Sequence, residues 1–389
     1  MRRWFFSIVW LLLAGGCAQV PKAPPPVPVA LFHDALFKPP SQPVRPADSM
    51  AASPAMREFA NRELWRMKLK GAPFGLVDGL LDSGTLKLEY DSEMTRNASE
   101  AFEARTGNCL SLVMMTASLA REMGLRVIYR QVETGGVWSR SGTLQMDLAH
   151  VNVSVARERT GSQAVNLNGD WVTIDFMASA APAKARTWQL EESRILGMYL
   201  VNRSVEHMAA GRMDDAYWHA RAAIEIDPGY ADAYNTLGVV YQRHGRPREA
   251  EAALRHTMAM EPHHRHAIGN LVGVLDSMGR TEDAAIARAE WRRLDPVPPF
   301  QDYDEGVRAM QAGDYARARQ LFERELRRHA VQFHELHLNL ARVYLHAGNL
   351  GAAREQLEKA LEFSITRQQH ALYSAKLELL KEERARLGR

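Results

Sequence analysis

The sequence predicts an α+β domain followed by an all-α solenoid of repeated helix pairs. In the first half of the chain, short β-branched runs alternate with helical ones. In the second half the strand pattern ends, and glycine, alanine and proline recur every 34 residues. Apolar residues make up 46% of the chain and charged residues 24%, as in an ordinary folded protein.

The charge pattern argues against nucleic acid as the main partner. The formal net charge is +3, and arginine and glutamate are interspersed through the second half. A nucleic-acid-binding protein normally carries a basic patch or stripe instead. The chain also contains no glycine-rich phosphate loop, and we expect it to need no cofactor.

The N-terminus is typical of an exported bacterial protein. Arg2 and Arg3 precede an apolar run, Trp4–Leu13, that is too short to span a bilayer as a helix. The run closes with Leu13–Cys17, which resembles a lipoprotein box, although leucine stands four rather than three residues before the cysteine. The alternative is a plain secretory signal that happens to contain a cysteine.

We therefore predict that residues 1–17 are a lipoprotein signal peptide and that Cys17 carries the lipid. Ala18, rather than aspartate, follows the cysteine, which favours the outer membrane by the rule for such lipoproteins. We expect the protein at the bacterial cell envelope, bound to the membrane through its N-terminal lipid and facing the periplasm.

Residues 18–52 are predicted to be a tether. Their many prolines, such as those in Pro24–Pro28, favour extended polyproline II and cannot build a core. A short apolar island, Leu31–Phe32 with Leu36–Phe37, is expected to dock on the domain that follows.

The α+β domain is predicted over residues 53–190. Ser53 and Pro54 provide a capping hydroxyl and a first-turn proline for its first helix. A further helix over Leu110–Met123 ends at Gly124, a residue suited to a left-handed cap. The predicted strands are Val127–Val132, Val151–Val155 and Trp171–Phe176.

Three residue types share a period of 34 residues from about residue 197 onward. They are Gly211, Gly245, Gly279 and Gly313; Ala216, Ala250, Ala284 and Ala318; and Pro228, Pro262 and Pro296. A fifth copy, with Gly348, follows after a one-residue slip. In a helix–turn–helix unit, glycine ends the first helix, alanine lets the helices approach and proline opens the next turn. Generic amphipathic hairpins do not predict this shared period.

The clearest copy resembles the tetratricopeptide repeat (TPR) through Tyr234, Leu237, Gly238, Tyr241, Gly245, Ala250, Leu254 and Pro262. We divide residues 197–367 into five repeats, about 197–230, 231–264, 265–298, 299–333 and 334–367, with a capping helix at 368–389. The resemblance implies a superhelix whose concave face holds a protein or peptide.

Cys109 is a candidate nucleophile. The chain has only two cysteines, so lipidation of Cys17 would leave Cys109 as the single thiol. Cys109 begins the predicted Leu110–Met123 helix, where the helix dipole and unpaired N–H groups favour a thiolate. The alternative is a small residue of the core.

A histidine and an aspartate are predicted to lie near this thiol. His150 and Asn152 share one face of their strand, opposite the valines, and the alternation in Trp171–Phe176 leaves Asp175 on its polar side. If the two strands are neighbours, His150 and Asp175 lie on one face, where the Cys109 helix begins. Taken singly, each residue could be structural.

The order of these residues resembles the transglutaminase-like superfamily. The resemblance is carried by Arg105, Gly107 and Cys109 before a helix, His150 at the start of a strand, and Trp171 to Asp175 in another. It implies a papain-like fold with a catalytic triad in which Cys109 is the nucleophile, His150 the base and acid, and Asp175 the orienting group.

One departure from the superfamily affects the predicted cleft. Many members follow the histidine with Ala-Trp, whereas this chain has Val151 and Asn152. The change removes an aromatic wall and leaves an amide that could donate to substrate. We expect Asn108, Asn152, Trp138 and Trp171 to line the cleft, with Trp138 in a loop or an exposed hairpin.

Two groups of histidines are candidate metal ligands. His263, His264 and His266 follow a repeat proline, and His334 and His337 are one helical turn apart. The first group lies in a turn between repeats, where solvated polar residues are expected, and no carboxylate or thiol completes the second, so no metal is predicted.

Two functions remain open from the sequence. The first is an envelope-anchored cysteine hydrolase or acyltransferase acting on amide bonds, to which the repeats would bring a protein substrate. The alternative is a non-catalytic TPR adaptor lipoprotein that organises an envelope complex.

Overall fold

A computed structural model describes residues 25–70, 88–90, 94–133, 138–141, 144–147, 150–157, 171–176, 186–294, 300–328, 333–364 and 367–386. The predicted signal peptide and the lipid attachment site at Cys17 lie outside the described residues. Among the helices within these ranges, none combines the length and the apolarity required to cross a bilayer.

The first domain combines helices with a four-stranded antiparallel sheet. Its helices are α1 (Pro54–Lys70), α2 (Ala98–Ala104) and α3 (Cys109–Glu122). Its strands are β1 (Glu89–Tyr90), β2 (Thr106–Gly107), β3 (Leu125–Val132), β4 (Trp138–Ser141), β5 (Leu144–Asp147), β6 (His150–Arg157), β7 (Val172–Ile174) and β8 (Thr187–Leu190). The sheet order is β7-β6-β3-β8, while β1 pairs with β2 in parallel and β4 with β5 as an antiparallel pair.

Helix α3 is the centre of this domain. All side chains from Leu110 to Ala120 are buried, because α3 packs on β3 and β6 on one side and on α1 and α2 on the other. It ends as the sequence predicts, since Gly124 adopts the left-handed backbone with φ of 68°. The cap of α1 is confirmed as well, with the Met56 amide donating to Ser53 Oγ at 3.3 Å.

The register of β6 and β7 brings the predicted polar residues together. These strands are antiparallel neighbours, with Val153 opposite Ile174 and Ser154 opposite Thr173. The residue after Ile174 is Asp175, which therefore lies beside the beginning of β6, where His150 is the first residue. The two strands are thus neighbours, which is the condition under which the sequence places His150 and Asp175 on one face.

The second half of the chain is a series of antiparallel helix pairs. Its helices are α4 (Glu192–Ala209), α5 (Met213–Ile226), α6 (Ala231–Arg243), α7 (Pro247–Met260), α8 (Arg265–Ser277), α9 (Thr281–Leu294), α10 (Gln301–Gln311), α11 (Tyr315–Arg328), α12 (His334–His346), α13 (Leu350–Glu362) and α14 (Arg367–Arg386). They form five pairs, α4–α5 to α12–α13, with α14 packed on α13. The first pair begins at Glu192, before the predicted start at residue 197.

The periodic small residues have the roles that the sequence predicts. Each of the five period glycines follows the first helix of its pair with φ between 69° and 81°, a backbone that residues with a Cβ rarely adopt. The period alanines are fully buried between the helices of a pair. Gly238 is also required for packing, since a Cβ there would lie 2.7 Å from Leu254 Cγ.

The inner side of the array is formed by the first helices of the pairs. Within repeats 1–3, α4 packs on α6 and α6 on α8, whereas α5, α7 and α9 make at most weak contacts with one another. In a curved stack, the more closely spaced layer is the concave one. The array is not uniform, because one hydrophobic core runs through repeats 1–3, a second through repeat 4 and the first helix of repeat 5, and a third joins repeat 5 to α14.

The prediction of an extended tether is wrong for the part of it that the structure describes. Short 3-10 helices span Val29–Leu31, Asp34–Leu36 and Pro46–Met50. The apolar island packs on helices of repeats 1 and 2 rather than on the domain that follows, and Phe37 is only 7% exposed. The segment is not extended because an aromatic site on the repeats, far away in sequence, buries Phe37.

Candidate functional site

The candidate nucleophile lies at the beginning of α3. Cys109 is the first residue of the helix, is half-buried and forms no disulfide. The preceding Asn108 caps the helix, because its Oδ1 accepts from the Ser111 amide at 2.9 Å and from Ser111 Oγ at 2.8 Å. At Gly107 a Cβ would lie 2.7 Å from Ser111 Cβ, so the glycine allows this tight entry into the helix.

The predicted histidine and aspartate are in direct contact. His150 Nε2 lies 2.8 Å from Asp175 Oδ1, and the imidazole is almost fully buried. The Asn152 side chain donates from Nδ2 to the other carboxylate oxygen, Oδ2, at 3.4 Å. The carboxylate is therefore held by two neighbouring residues of one strand face.

Cys109 lies beside His150 and contributes to the pKa of its imidazole. Burial by itself lowers the pKa of His150, but the hydrogen bond to Asp175 and then the interaction with Cys109 outweigh burial and raise the pKa to about 9. Since Nε2 faces Asp175, Nδ1 is the nitrogen left for the thiol. This Nδ1 is buried and has no hydrogen-bond partner of standard geometry among the described residues.

This arrangement has the parts of a nucleophilic cysteine site. A carboxylate orients an imidazole, the imidazole can hold the thiol proton, and the thiol lies at the positive end of a helix. Cys109, His150 and Asp175 are thus close together in the structure.

A second set of hydrogen bonds, not predicted from the sequence, supports the cap of α3. Asn108 Nδ2 donates to Thr95 Oγ1 at 2.8 Å, and the Thr95 amide donates to Glu206 Oε1 at 2.7 Å. Arg203 pairs with the other oxygen of Glu206 at 2.6 Å. Burial raises the pKa of Glu206. Because Arg203 and Glu206 belong to α4, the first repeat is connected to the helix that carries Cys109.

Local sequence patterns could reveal only part of this network. The spacing of Asn108 and Ser111 is typical of a helix cap and is visible in the sequence. Thr95 and Glu206 lie 111 residues apart and carry no local signal that they meet.

The predicted cleft residues are distributed differently from expectation. Asn108 and Asn152 both lie beside the triad residues, as described above. Trp171, however, packs against the guanidinium of Arg126, 5.1 Å from its ring centroid, near the far end of β6. Four extended residues, or about 13 Å, separate it from Asp175, so the prediction that Trp171 lines the cleft is wrong. Trp138 begins β4, which pairs with β5, and its place at the cleft stays a prediction.

Three of the candidate metal-ligating histidines, His264, His334 and His337, have structural partners. His264 Nε2 contacts Asp232 Oδ1 at 3.0 Å and caps α8. His334 contacts the Tyr373 hydroxyl and His337 contacts the Gln356 amide. The part of the chain that the structure describes holds no cluster of three or more metal-ligating side chains.

Comparison with protein families identifies the solenoid. The tetratricopeptide repeat family matches residues 303–367, and a second tetratricopeptide repeat family matches residues 207–258. Together with the helix pairs and the period glycines, these matches show that the second half of the chain is built of tetratricopeptide repeats. The chain thus carries tetratricopeptide repeats after an α+β domain.

Two characterised proteins share part of this sequence. The type IV pilus assembly protein PilF of Pseudomonas aeruginosa is 29% identical over 123 residues, which are 31% of this chain and 49% of that protein. The small glutamine-rich tetratricopeptide repeat-containing protein 2 of Saccharomyces cerevisiae is 29% identical over 115 residues, which are 29% of this chain and 31% of that protein. The chain spans about half or less of the length of these relatives.

Solved structures of TPR proteins align with part of the chain. The structure of Pseudomonas aeruginosa PilF aligns at 23% identity, covering 50% of this chain and 86% of that one, with a TM-score of 0.28. A thermophilic TPR protein of Thermus thermophilus aligns at 20% identity, covering 46% and 98%, with a TM-score of 0.28. YrrB, a TPR protein with an unusual peptide-binding site, aligns at 19% identity, covering 46% and 92%, with a TM-score of 0.25.

Proposed function

We propose that this protein is an adaptor that holds a protein segment on the inner surface of its repeats. The observation that carries the proposal is a contact between first helices, in which Asn270 Nδ2 of α8 donates to Asn235 Oδ1 of α6 at 2.9 Å. Both side chains are only half-buried. Each amide carries two donors and one acceptor, so this single bond leaves groups able to meet the main chain of a bound peptide.

Site-specific cross-linking tests this proposal. A photo-reactive amino acid replaces Asn235 on the inner surface or, as a matched control, Ile286 on α9, which is 71% exposed on a second helix. We expect a partner to be cross-linked from position 235 and not from position 286. Equal yields from both positions, or none from 235, would contradict the adaptor function.

The adaptor is proposed to act at the bacterial cell envelope, bound to the membrane by a lipid on Cys17. The support is the Leu13–Cys17 motif after a charged and apolar N-terminus. Detergent phase partitioning tests this lipid anchor, because Cys17→Ala should move the protein from the detergent phase to the aqueous phase. An unchanged distribution would exclude lipid anchoring at this residue.

A second candidate function is transglutaminase-like amide chemistry at Cys109, and the 2.8 Å contact between His150 and Asp175 favours it. The Cys109 thiolate would attack an amide carbonyl, the amine would leave with a proton from His150, and water or another amine would release the acyl group. Such a protein would be a cysteine hydrolase or acyltransferase to which the repeats bring a substrate.

Alkylation by iodoacetamide distinguishes a reactive thiol from a structural one. In a Cys17→Ser background Cys109 is the single thiol, and we expect His150→Gln to slow its alkylation at neutral pH by about tenfold or more. A Cys109→Ser chain serves as the unlabelled control. An equal rate with and without His150 would exclude the catalytic candidate while leaving the adaptor intact.

A further inference from the structure

The first two repeats carry a groove that is occupied by the chain's own N-terminal segment, residues 31–41. Phe37 is the central anchor of this segment. Its ring stacks on Tyr217 of α5, with centroids 4.0 Å apart and planes within 5°, and on His244, with centroids 4.5 Å apart. An aromatic slot of this kind buries one ring of matching size and excludes water from it.

Asp34 is the second anchor. Its Oδ1 accepts from the Tyr217 hydroxyl at 2.5 Å and from Arg221 Nε at 3.0 Å. Hydrogen bonds to a carboxylate are stronger than bonds between neutral groups. The same Arg221 lies over the ring of Phe32, 4.9 Å from its centroid. The groove thus recognises an acidic residue followed three positions later by an aromatic one.

The groove also binds the main chain of the segment. The Tyr241 hydroxyl donates to Leu31 O at 2.8 Å, His244 Nε2 contacts Leu36 O at 3.2 Å and Trp218 Nε1 donates to Lys38 O at 2.7 Å. Main-chain amides of the segment donate in turn, from His33 to the Tyr241 hydroxyl, from Lys38 to Asp214 and from Ser41 to Asp215.

Recognition of main-chain groups together with two spaced side chains is typical of a peptide-binding site. We infer that repeats 1 and 2 form a binding site for an Asp-x-x-Phe peptide, and that its resident ligand is residues 31–41 of the same chain. A covalently attached ligand has an effective concentration of about millimolar, so it outcompetes dilute peptides of the same chemistry. The bound segment therefore keeps the first repeats close to the part of the chain that precedes residue 31.

The site differs from the inner surface proposed for the partner. Its side chains come from α5, a second helix, and from Tyr241 and His244 at the end of α6. The inference therefore does not depend on the adaptor or the catalytic proposal.

The test uses the full chain with Asp34→Ala and Phe37→Ala combined. Hydrogen exchange of the His33, Lys38 and Ser41 amides should become at least about tenfold faster than in the wild type, while the repeat helices keep their protection. A labelled synthetic peptide of residues 29–43 should then bind the double variant at micromolar concentration and bind the wild type at least about tenfold more weakly. The same peptide with Phe37→Ala is the matched control and should not bind.

Three outcomes would overturn the inference. One is unchanged exchange at the three amides in the double variant, and another is failure of the peptide to bind that variant. The third is a concentration-dependent dimer of the wild type in light scattering that Phe37→Ala abolishes, since the segment would then come from a second copy. If the double variant does not fold, Tyr241→Phe keeps the ring and removes the hydroxyl that contacts Leu31 and His33, and it should still accelerate exchange at His33.

Discussion

His150 Nε2 and Asp175 Oδ1 lie 2.8 Å apart, at the adjoining ends of two antiparallel strands. The contact fixes which imidazole nitrogen remains for Cys109. It also explains why the imidazole, although buried, has a pKa raised to about 9 rather than lowered.

Asp175→Asn should lower the pKa of His150. The hydrogen bond to the carboxylate is the largest influence that raises this pKa, and burial then acts with less opposition. An NMR titration of the His150 ring measures the change. Because the Asn152 amide also contacts Asp175, Asn152→Ala is the control, with a smaller decrease expected. A titration midpoint that is unchanged in Asp175→Asn would contradict the assigned pairing.

The stability of the protein should decrease in alkaline solution. A histidine with a folded-state pKa of about 9 contributes stability that is fully present below its ordinary value of 6.5 and is lost as the pH rises through 9. Urea unfolding at several pH values measures this contribution. In His150→Gln the decrease over that pH window should be smaller, and an identical pH dependence in the variant would argue against a charged imidazole.

Thr95→Val should disturb the cap of the Cys109 helix. The substitution leaves the Asn108 amide without the acceptor that it meets at 2.8 Å, which typically costs about 1–3 kcal/mol. We also expect slower alkylation of Cys109. Thr257→Val is a matched control, since it removes a buried hydroxyl bond within α7, far away in sequence. Slower alkylation in both variants would indicate general destabilisation instead of a specific connection.

Gly238→Ala should destabilise the repeats by about 1–3 kcal/mol, because the new Cβ would lie 2.7 Å from Leu254 Cγ. Gly351→Ala, in helix α13, is the matched control. Its Cβ meets nothing closer than Asn349 Oδ1 at 3.8 Å, so the better helix propensity of alanine should raise stability slightly. Thermal unfolding measures both changes. A similar effect of the two substitutions would contradict the described contact between α6 and α7.

The sequence predicted the elements that have a strong local signal. The glycines with positive φ mark the helix pairs because few other residues accept that backbone. The strands of His150 and Asp175 were found from alternation, and their pairing placed these two residues together. In contrast, β8 has three exposed residues of four and no alternation that would reveal it.

What the sequence did not predict depends on contacts between distant segments. The proline content of residues 18–52 suggested an extended tether, but Phe37 is buried by Tyr217, 180 residues later. The place of Trp171 in the motif predicts that it lines the cleft, whereas Arg126 holds its ring near the other end of β6. No local pattern encodes either contact.

The most direct test of the adaptor function is the affinity of the partner cross-linked from position 235, measured with the purified full-length protein. Asn235→Ala combined with Asn270→Ala removes the paired amides of the inner surface, and we predict about tenfold weaker binding or more. Cys109→Ala should bind the partner as the wild type does. Undiminished affinity in the double variant would contradict the account.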